Sequence, residues 1–203
     1  AYVPAGLTLS HFGLWMTDMD STLIQIECID EIAGMLGLKD KVAAITERSM
    51  AGELDFSQSL RERVALLAGL KETTLKVVYE KKVKLNPGAK ELVAACQAKG
   101  VKIGLISGGF TYFTNRLKQE LGLDYAIANT LEVVNGRLTG MVKGDIIDAQ
   151  AKADWLLKLR GELGLGLCGL QRRDHVAQVA FHDGPQLVQR EVDAVVGQPS
   201  LGK

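Results

Sequence analysis

The chain has 203 residues, 47% of them hydrophobic, and a formal net charge of +0 from 24 basic and 24 acidic side chains. This length supports one large domain, or one domain with an insertion, around a sizeable core. The even charge balance argues against a nucleic-acid or anionic-membrane partner. The longest apolar runs are too short for a membrane span, and the first residues lack the pattern of a signal peptide.

The cysteine content points to a reducing compartment. The three cysteines are few, odd in number and widely spaced, at Cys28, Cys96 and Cys168. They predict reduced thiols in a cytoplasmic protein, because a disulfide framework needs more cysteines in a shorter chain.

The first feature with chemical content is a short acidic turn, Asp18-Met19-Asp20-Ser21-Thr22, which follows the apolar run 12–17. Residues two apart share a face of a strand, so both carboxylates are expected to project beyond its carboxyl end, where open α/β sheets bind ligands. A carboxylate nucleophile beside a second carboxyl suits phosphoryl transfer: one attacks phosphorus and the other protonates the departing oxygen. An Asx turn or helix cap with spare acids explains so short a pattern about equally well.

Four helices are predicted to follow the acidic turn. Apolar side chains recur there at helical spacing, and Asp55-Phe56-Ser57-Gln58 resembles a capping box. The helices are expected near residues 29–36, 42–50, 55–69 and 75–83. Four helices in succession after one strand predict an inserted helical bundle. We therefore expect a helical cap over residues 28–84 and a discontinuous α/β core formed by residues 1–27 and 85–203.

After this bundle, strands and helices alternate. Asn86-Pro87-Gly88 predicts a helix start with Pro87 in the first turn, and 101–106 predicts a buried strand that ends at Ser107-Gly108-Gly109. Asn135-Gly136 predicts a type I′ hairpin turn. The remaining elements are expected as a helix at 112–121, a strand at 125–128, a hairpin at 131–142 and a helix at 151–163. Such alternation predicts a parallel sheet covered on both faces.

Two further features are suited to binding phosphate. Ser107-Gly108-Gly109 combines a hydroxyl with glycine-rich backbone before a predicted helix, which makes a phosphate cradle, although a tight turn is the simpler explanation of that segment alone. Lys152, near the start of a later helix, is suited to neutralising phosphoryl oxygens. Most lysines at such positions are solvated surface residues.

The predicted cap carries a pair of opposite charges. Glu27 and Arg63 together suit a zwitterion, with Glu27 taking an ammonium and Arg63 forking onto a carboxylate. Taken singly, Arg63 is more simply a surface residue of a helix. His11, His175 and His182 show no metal-ligand spacing and are interpreted as structural or exposed.

Five segments, taken in order, resemble the phosphoserine phosphatases of the haloacid dehalogenase superfamily. They are Asp18–Thr22, Ile26–Ala33, Glu53–Val64, Ile106–Phe110 and Ala149–Asp154. The similarity extends over residues 12–164, and the joint match is far more specific than any one segment. The resemblance implies a Rossmann-like core, a helical cap, Mg²⁺ as cofactor, and hydrolysis of O-phospho-L-serine to L-serine and phosphate in serine biosynthesis.

The resemblance also implies a role for each matching residue. Asp18 would be the nucleophile that becomes an aspartyl phosphate and a ligand of Mg²⁺. Asp20 would protonate the leaving serine hydroxyl, later activate water, and bind the metal through its backbone carbonyl. Ser107 with Gly108, and Lys152, would hold the phosphoryl oxygens.

The resemblance assigns the amino-acid end of the substrate to the cap. Glu27 and Arg63 would bind its ammonium and carboxylate, and Met50 and Phe56 would close over it. The implied partner is therefore a small molecule, without nucleic acid or membrane. A homodimer is kept as an option, because the sequence does not fix the oligomeric state.

One expected segment is missing. The family has an acidic loop of the form G-D-G-x-N-D after the Lys152 helix, whereas residues 164–175 of this chain lack it. Asp174 and Asp183 are two alternative replacements for its metal ligand, and the sequence does not choose between them. Without this loop the site loses a carboxylate for Mg²⁺, a cation that gives up water reluctantly.

Three interpretations therefore stay open. The chain is an Mg²⁺-dependent phosphoserine phosphatase, a phosphatase for another small phosphomonoester, or an impaired relative that only binds its ligand. The segment at 165–178 is either a natural variation or the product of a deletion, frameshift or misread sequence.

Overall fold

The computed structural model of the chain describes residues 8–165 and, by their backbone alone, residues 175–179. The strands are β1 (Phe12–Thr17), β2 (Lys102–Phe110), β3 (Tyr125–Val134), β4 (Arg137–Lys143) and β5 (His175–Val179). The helices are α1 (Cys28–Gly34), α2 (Lys39–Met50), α3 (Phe56–Ala65), α4 (Thr73–Lys82), α5 (Ala89–Ala98), α6 (Thr111–Leu121) and α7 (Ala149–Glu162). A short 3-10 turn (Leu9–His11) precedes β1, and a π-type turn (Met19–Leu23) follows it.

The five strands form one sheet in the order β4-β3-β2-β1-β5. β1, β2, β3 and β5 are parallel, and β4 is antiparallel to β3. The order of β1, β2 and β3 places α5 and α6 on one face, whereas α7 covers the other. The predicted α/β fold is confirmed.

The central strand β1 is covered on both faces, which explains its nearly continuous apolar sequence. Leu14 and Met16 are buried against α7, and Trp15 packs into the larger core on the opposite face. A strand covered on both faces needs a near-continuous apolar run, not an alternating one. Its carboxyl end is therefore fixed within the sheet, immediately before the acidic turn.

Helices α1 to α4 stand between β1 and α5, as the helical spacing predicted. The chain enters and leaves this bundle through adjacent segments: the Gln25 N–H donates to the Lys84 carbonyl at 2.9 Å, and Asn86 Nδ2 donates to the Thr22 carbonyl at 2.7 Å. The segments that enter and leave the bundle are thus hydrogen-bonded to each other. The boundary of the cap at residues 28–84 stays a prediction.

The hairpin β3–β4 connects the bundle to the far side of the sheet. The Gly69 N–H donates to the Leu138 carbonyl and the Leu138 N–H to the Leu70 carbonyl, both at 2.8 Å. Arg137 Nη1 adds a third hydrogen bond, to the Gly69 carbonyl at 2.7 Å. This backbone pairing fixes the end of α3 to the core independently of the linkers.

Local signals for turns and caps were accurate. Asp55 caps α3 in a capping box with Gln58, and Asn135 and Gly136 have φ of 51° and 71°, as a type I′ turn requires. The helix start at 86–88 was wrong in its detail, because α5 begins at Ala89 and Gly88 precedes it with φ of 85°. Pro87 therefore lies outside the helix.

The predicted end of the second strand was also wrong. β2 continues through Ser107, Gly108 and Gly109 to Phe110, which pairs with Asn129 of β3. The pairing with β3 is interrupted at residues 107–109: it holds up to Ile106 opposite Ile127 and resumes at Phe110 opposite Asn129. The strand extends past the glycines because of this long-range pairing at Phe110, which local sequence does not record. None of the described helices has both the length and the apolar character needed to cross a membrane.

Replacing Gly140 by alanine tests the contact between hairpin and cap. A Cβ at Gly140 would lie 3.0 Å from the Ala68 Cβ and 3.2 Å from the Ala65 carbonyl oxygen, and the residue has φ of 86°. Gly136 is the matched control, because its φ is 71° and a Cβ there meets nothing within 4 Å.

We expect Gly136→Ala to lower the free energy of unfolding by about 1–2 kcal/mol through backbone strain alone. Gly140→Ala should lose about 1–3 kcal/mol more, because the added methyl group must displace the end of α3. Urea unfolding of both variants measures the difference. Equal losses of unfolding free energy in the two variants would show that the contact between Gly140 and the end of α3 does not contribute to stability.

Candidate active site

Asp18 lies at the carboxyl end of β1, with both carboxylate oxygens engaged. Its Oδ1 accepts a hydrogen bond from the Met19 N–H at 2.7 Å, and its Oδ2 accepts one from Lys152 Nζ at 2.9 Å. Asp18 is 5% exposed and Lys152 is 2% exposed. Burying two opposite charges this deeply is tolerated only when each has a partner.

Lys152 reaches this position because α7 begins just before it. The Asp148 side chain accepts a hydrogen bond from the Ala151 N–H at 2.9 Å and thereby caps the helix. Lys152 follows in the first turn, on the side of α7 that faces the sheet. The interpretation of Lys152 as a solvated surface residue is therefore wrong.

The segment Ser107-Gly108-Gly109 lies beside the acidic turn. Ser107 is buried, and its Oγ accepts a hydrogen bond from the Gly109 N–H at 3.0 Å. A Cβ at Gly109 would lie 2.6 Å from Asp20 Oδ2 and 3.2 Å from Ser107 Oγ. Only glycine leaves room for the Asp20 carboxyl there, so one small region holds the Ser107 hydroxyl, the Gly109 backbone and the Asp20 carboxyl.

Asp20 lies in a setting that favours its neutral form. Its Oδ1 accepts a hydrogen bond from the Cys28 N–H at 3.0 Å. Burial, with smaller contributions from the nearby charges of Glu27 and Asp18, raises the pKa of Asp20 to about 7, although the hydrogen bonds from Cys28 act in the opposite sense. A carboxyl with this pKa can give and take a proton near neutral pH.

Glu27 is held at the entrance to the bundle by the acidic turn. The Ser21 hydroxyl donates to Glu27 Oε1 at 2.6 Å. Ser21 has φ of 52°, a left-handed conformation that non-glycine residues rarely adopt. The tight turn that carries Asp18 and Asp20 therefore also brings Glu27 close to Ser21.

Helix α3 brings the bundle over the glycine segment. A Cβ at Gly108 would lie 2.7 Å from the ring Cζ of Phe56. Arg63, seven residues further along α3, lies on the same side of the helix, and its Nε donates to the Ser59 carbonyl at 3.3 Å. Met50, at the end of α2, is 84% exposed. The structure thus brings Phe56 to Gly108 of the glycine segment and leaves Met50 at the surface.

One residue of this region was not predicted from the sequence. Asn129, which is 1% exposed, donates through Nδ2 to the Gly108 carbonyl at 2.7 Å and accepts through Oδ1 from the Ile147 N–H at 2.8 Å. Its signal in the sequence is a single amide after the apolar run 125–128, which a simple turn explains equally well.

The site offers hard oxygen ligands for a cation. Carboxylate and carbonyl oxygens, such as those of the acidic turn, are the donor type that Mg²⁺ prefers. Within residues 8–165, no group of three or more His, Cys, Asp and Glu side chains is arranged to hold a metal. Asp174, Asp183, His182 and Cys168 lie outside the described residues.

The thiols and the first histidine have structural settings. Cys28 and Cys96 are buried free thiols. Burial raises the pKa of the Cys28 thiol well above its usual value, so it stays neutral beside Asp20. His11 Nδ1 hydrogen-bonds with Thr8, and His175 lies in β5.

Comparison with known proteins agrees with this arrangement. The haloacid dehalogenase-like hydrolase family matches residues 16–169, the range that contains the acidic turn, the bundle, the glycine segment and α7. The chain belongs to the haloacid dehalogenase-like hydrolases.

The relatives within this family are more specific. The chain is 52% identical over 164 residues to a phosphoserine phosphatase of Albidiferax ferrireducens, covering 78% of this chain and 69% of the relative. It is 56% identical over 149 residues to a phosphoserine phosphatase of Idiomarina loihiensis, covering 73% of this chain and 67% of the relative. The resemblance to phosphoserine phosphatases is confirmed.

Solved structures lead to the same family. A probable phosphoserine phosphatase from Vibrio cholerae in unliganded form has a TM-score of 0.77 and 46% identity, covering 93% of this chain and 55% of that one. A phospho-aspartyl intermediate analogue of phosphoserine phosphatase has a TM-score of 0.71 and 39% identity, covering 77% of this chain and 74% of that one. This chain spans about half the length of the Vibrio cholerae protein.

The raised pKa of Asp20 makes a stability prediction. The pKa of the Asp20 carboxyl is about 7 in the folded chain, whereas its ordinary value is 3.8. Between these two pH values the folded chain holds a proton that the unfolded chain has lost. The resulting stabilisation is complete below pH 3.8 and is lost as the pH rises through 7.

We therefore expect the stability of the wild type relative to Asp20→Asn to fall across this interval, because asparagine cannot titrate and still accepts from the Cys28 N–H. Urea unfolding without added divalent metal, from pH 4 to pH 8, measures it. Parallel pH dependences for the two proteins would contradict the raised pKa.

Proposed function

We propose that this chain hydrolyses O-phospho-L-serine to L-serine and inorganic phosphate through an aspartyl phosphate on Asp18. The observation that carries the proposal is the buried contact of 2.9 Å between Asp18 Oδ2 and Lys152 Nζ. A cation held against an anionic nucleophile is suited to accept the phosphate dianion that must approach it. The names of the relatives support phosphoserine as the substrate.

In the first step, an Asp18 carboxylate oxygen attacks phosphorus, and the bond between phosphorus and the serine oxygen breaks. The electron pair of that bond stays with the serine oxygen, and the Asp20 carboxyl supplies its proton. A pKa of about 7 keeps a substantial share of Asp20 protonated at neutral pH. A relative of 39% identity has been solved as a phospho-aspartyl intermediate analogue, which supports this route.

In the second step, water attacks the phosphoryl group on Asp18. Asp20, now ionised, takes a proton from that water, the bond between Asp18 and phosphorus breaks, and phosphate leaves. Lys152 and the Ser107 hydroxyl bind the phosphoryl oxygens in both steps, where negative charge is spread over those oxygens. One acid–base residue thus serves both halves of the reaction.

Magnesium fits the oxygen donors of this site. Mg²⁺ commonly binds one or two carboxylates together with substrate phosphate and water, which Asp18 and the Asp20 carbonyl are suited to provide. When bound, the ion would neutralise phosphate charge and so ease the approach of the Asp18 carboxylate. A third protein ligand stays a prediction, with Asp174 and Asp183 as its alternatives; β5 ends with Val179 beside Thr17, at the edge that carries Asp18.

We propose that the cap recognises the amino-acid end of the substrate. Glu27 would bind the ammonium group and Arg63 the carboxylate. Phe56, which lies against Gly108, would exclude water from the phosphoryl group. Met50 would join it only after α2 moves, because its side chain is 84% exposed.

Turnover of phosphoserine tests the proposed function directly. We expect Mg²⁺-dependent phosphate release from phosphoserine, faster than from phosphothreonine or a sugar phosphate, and loss of that activity in Asp18→Asn, because an amide is a poor nucleophile. Colorimetric phosphate release measures it.

Two results would contradict the proposed activity on phosphoserine. Preference for a sugar phosphate would favour the second interpretation, a phosphatase for another phosphomonoester. Calorimetric binding of phosphoserine without turnover would favour an impaired relative that only binds its ligand.

The assignment of the substrate carboxylate to Arg63 has a matched control on the same helix. Arg61 is exposed, whereas Arg63 is partly buried on the side of α3 that carries Phe56. We expect Arg63→Ala to raise the KM for phosphoserine about 10- to 100-fold, the loss of one charge-assisted pair, and Arg61→Ala to leave it unchanged.

A phosphomonoester without a carboxylate separates binding from folding. Arg63→Ala should hydrolyse such a substrate as well as the wild type does. Equal losses on both substrates would assign Arg63 a structural role instead.

A further inference from the structure

The buried amide of Asn129 joins two segments of the site through its two ends. Nδ2 donates to the Gly108 carbonyl at 2.7 Å, and Oδ1 accepts from the Ile147 N–H at 2.8 Å. Gly108 belongs to the phosphate-cradle segment, and Ile147 directly precedes Asp148, the cap of α7. The side chain is 1% exposed, so no water replaces either bond at low cost.

The first of these bonds controls the Ser107 hydroxyl through the backbone. The Gly108 carbonyl and the Gly109 N–H belong to one planar peptide group, so fixing the carbonyl fixes the direction of the N–H. That N–H donates to Ser107 Oγ at 3.0 Å. A hydroxyl that accepts from a backbone N–H still has its own proton to donate. Asn129 therefore orients the Ser107 hydroxyl so that its proton is available to a ligand.

The second bond controls the start of α7. Asp148 caps the helix through the Ala151 N–H, and the Lys152 N–H donates to the Asp148 carbonyl at 2.9 Å. A shift at Ile147 would move this cap and, with it, the first turn that carries Lys152. The single amide of Asn129 thus ties together the supports of both groups.

We propose that Asn129 is a positioning residue that holds the peptide beside the Ser107 hydroxyl and the helix start that carries Lys152, so that both groups can bind one phosphoryl group. This inference rests on the proposed function, because that function makes both groups ligands of one phosphate. Asn129 itself does not touch the substrate. Its effect is on how tightly phosphate is held and how fast it is transferred.

The substitution Asn129→Asp distinguishes a role in positioning from a role in packing alone. Asn129→Asp has nearly the same shape and still accepts from the Ile147 N–H. Its ionised carboxylate cannot donate to the Gly108 carbonyl, whereas its protonated form can. Asn129→Leu keeps similar volume and loses both bonds.

Two quantities are measured with Mg²⁺ present: the affinity for inorganic phosphate by calorimetry and kcat/KM for phosphoserine across pH 5 to 8. We expect Asn129→Leu to lose about 10- to 100-fold in both, the effect of leaving buried backbone groups without partners. Asn129→Asp should show a similar loss at pH 8. Its activity relative to the wild type should recover as the pH falls and the carboxyl regains a proton.

Val93→Ala is the control for stability, since it opens a cavity at a buried position of α5, a helix that belongs to neither segment. It should lower the melting temperature and leave phosphate affinity unchanged. A constant ratio of Asn129→Asp to wild-type activity across this pH range would overturn the proposal, as would unchanged phosphate affinity in Asn129→Leu. If Asn129→Leu does not fold, the ratio for Asn129→Asp decides.

The outcome is separable from that of the proposed function. A wild type that binds phosphate without hydrolysing phosphoserine defeats the proposed function, and the pH dependence of phosphate affinity in the two variants still tests Asn129. A wild type that binds neither ligand overturns both proposals.

Discussion

The buried ion pair between Asp18 and Lys152 fixes the geometry of this site. The two residues are 134 positions apart in the chain and their charged atoms lie 2.9 Å apart, with almost no exposure to solvent. Removing two such charges from water costs several kcal/mol for each ion, and a close partner recovers that cost only when the geometry is good. Hydrophobic residues of similar size would often give at least equal stability. The pair is therefore better explained by the chemistry it prepares than by the stability it contributes.

The elements around this pair each fix one part of its geometry. The apolar strand β1 ends at Asp18 in the middle of the sheet, and the cap of α7 directs Lys152 towards it. The strained turn at Ser21 returns the chain so that Asp20 meets Gly109 and Cys28. Strain in a short polar turn is typical of functional sites, where the surrounding structure holds an unfavourable conformation in place. The consequence is that a carboxyl with a pKa raised to about 7 lies beside the proposed nucleophile, which is paired with a lysine. Different environments for two neighbouring carboxyls are how acid–base roles are separated.

Local sequence predicted much of this arrangement. The helical bundle, the capping box at Asp55 and the hairpin turn at Asn135-Gly136 follow from signals within a few residues of each other. The extension of β2 to Phe110 does not, because it depends on pairing with Asn129 of β3. Asn129 was missed for the same reason: its partners at Gly108 and Ile147 are 21 and 18 residues away. Contacts across such distances leave no periodic pattern in the sequence.

The site residues assigned by resemblance to the family were likewise only partly predictable from local sequence. Residue type and spacing suggested Asp18, Ser107 and Lys152 one at a time, each with an ordinary structural explanation. The ordered match of five segments joined them, and the fold brings Asp18 to Lys152 and Asp20 to Ser107. The burial of Lys152 was not readable from its helix alone, since its exposure is decided by the sheet beneath α7.

Locating the phosphoryl group on the protein during turnover tests the role of Asp18 as nucleophile. The chain is mixed with phosphoserine and Mg²⁺, quenched in acid within the first turnover, and treated with borohydride to convert an acyl phosphate into a stable product. Peptide mass spectrometry then locates the modified side chain. We expect modification at Asp18, absent from Asp18→Asn. Steady phosphate release with Asp18 unmodified throughout, or modification at a different residue, would contradict it.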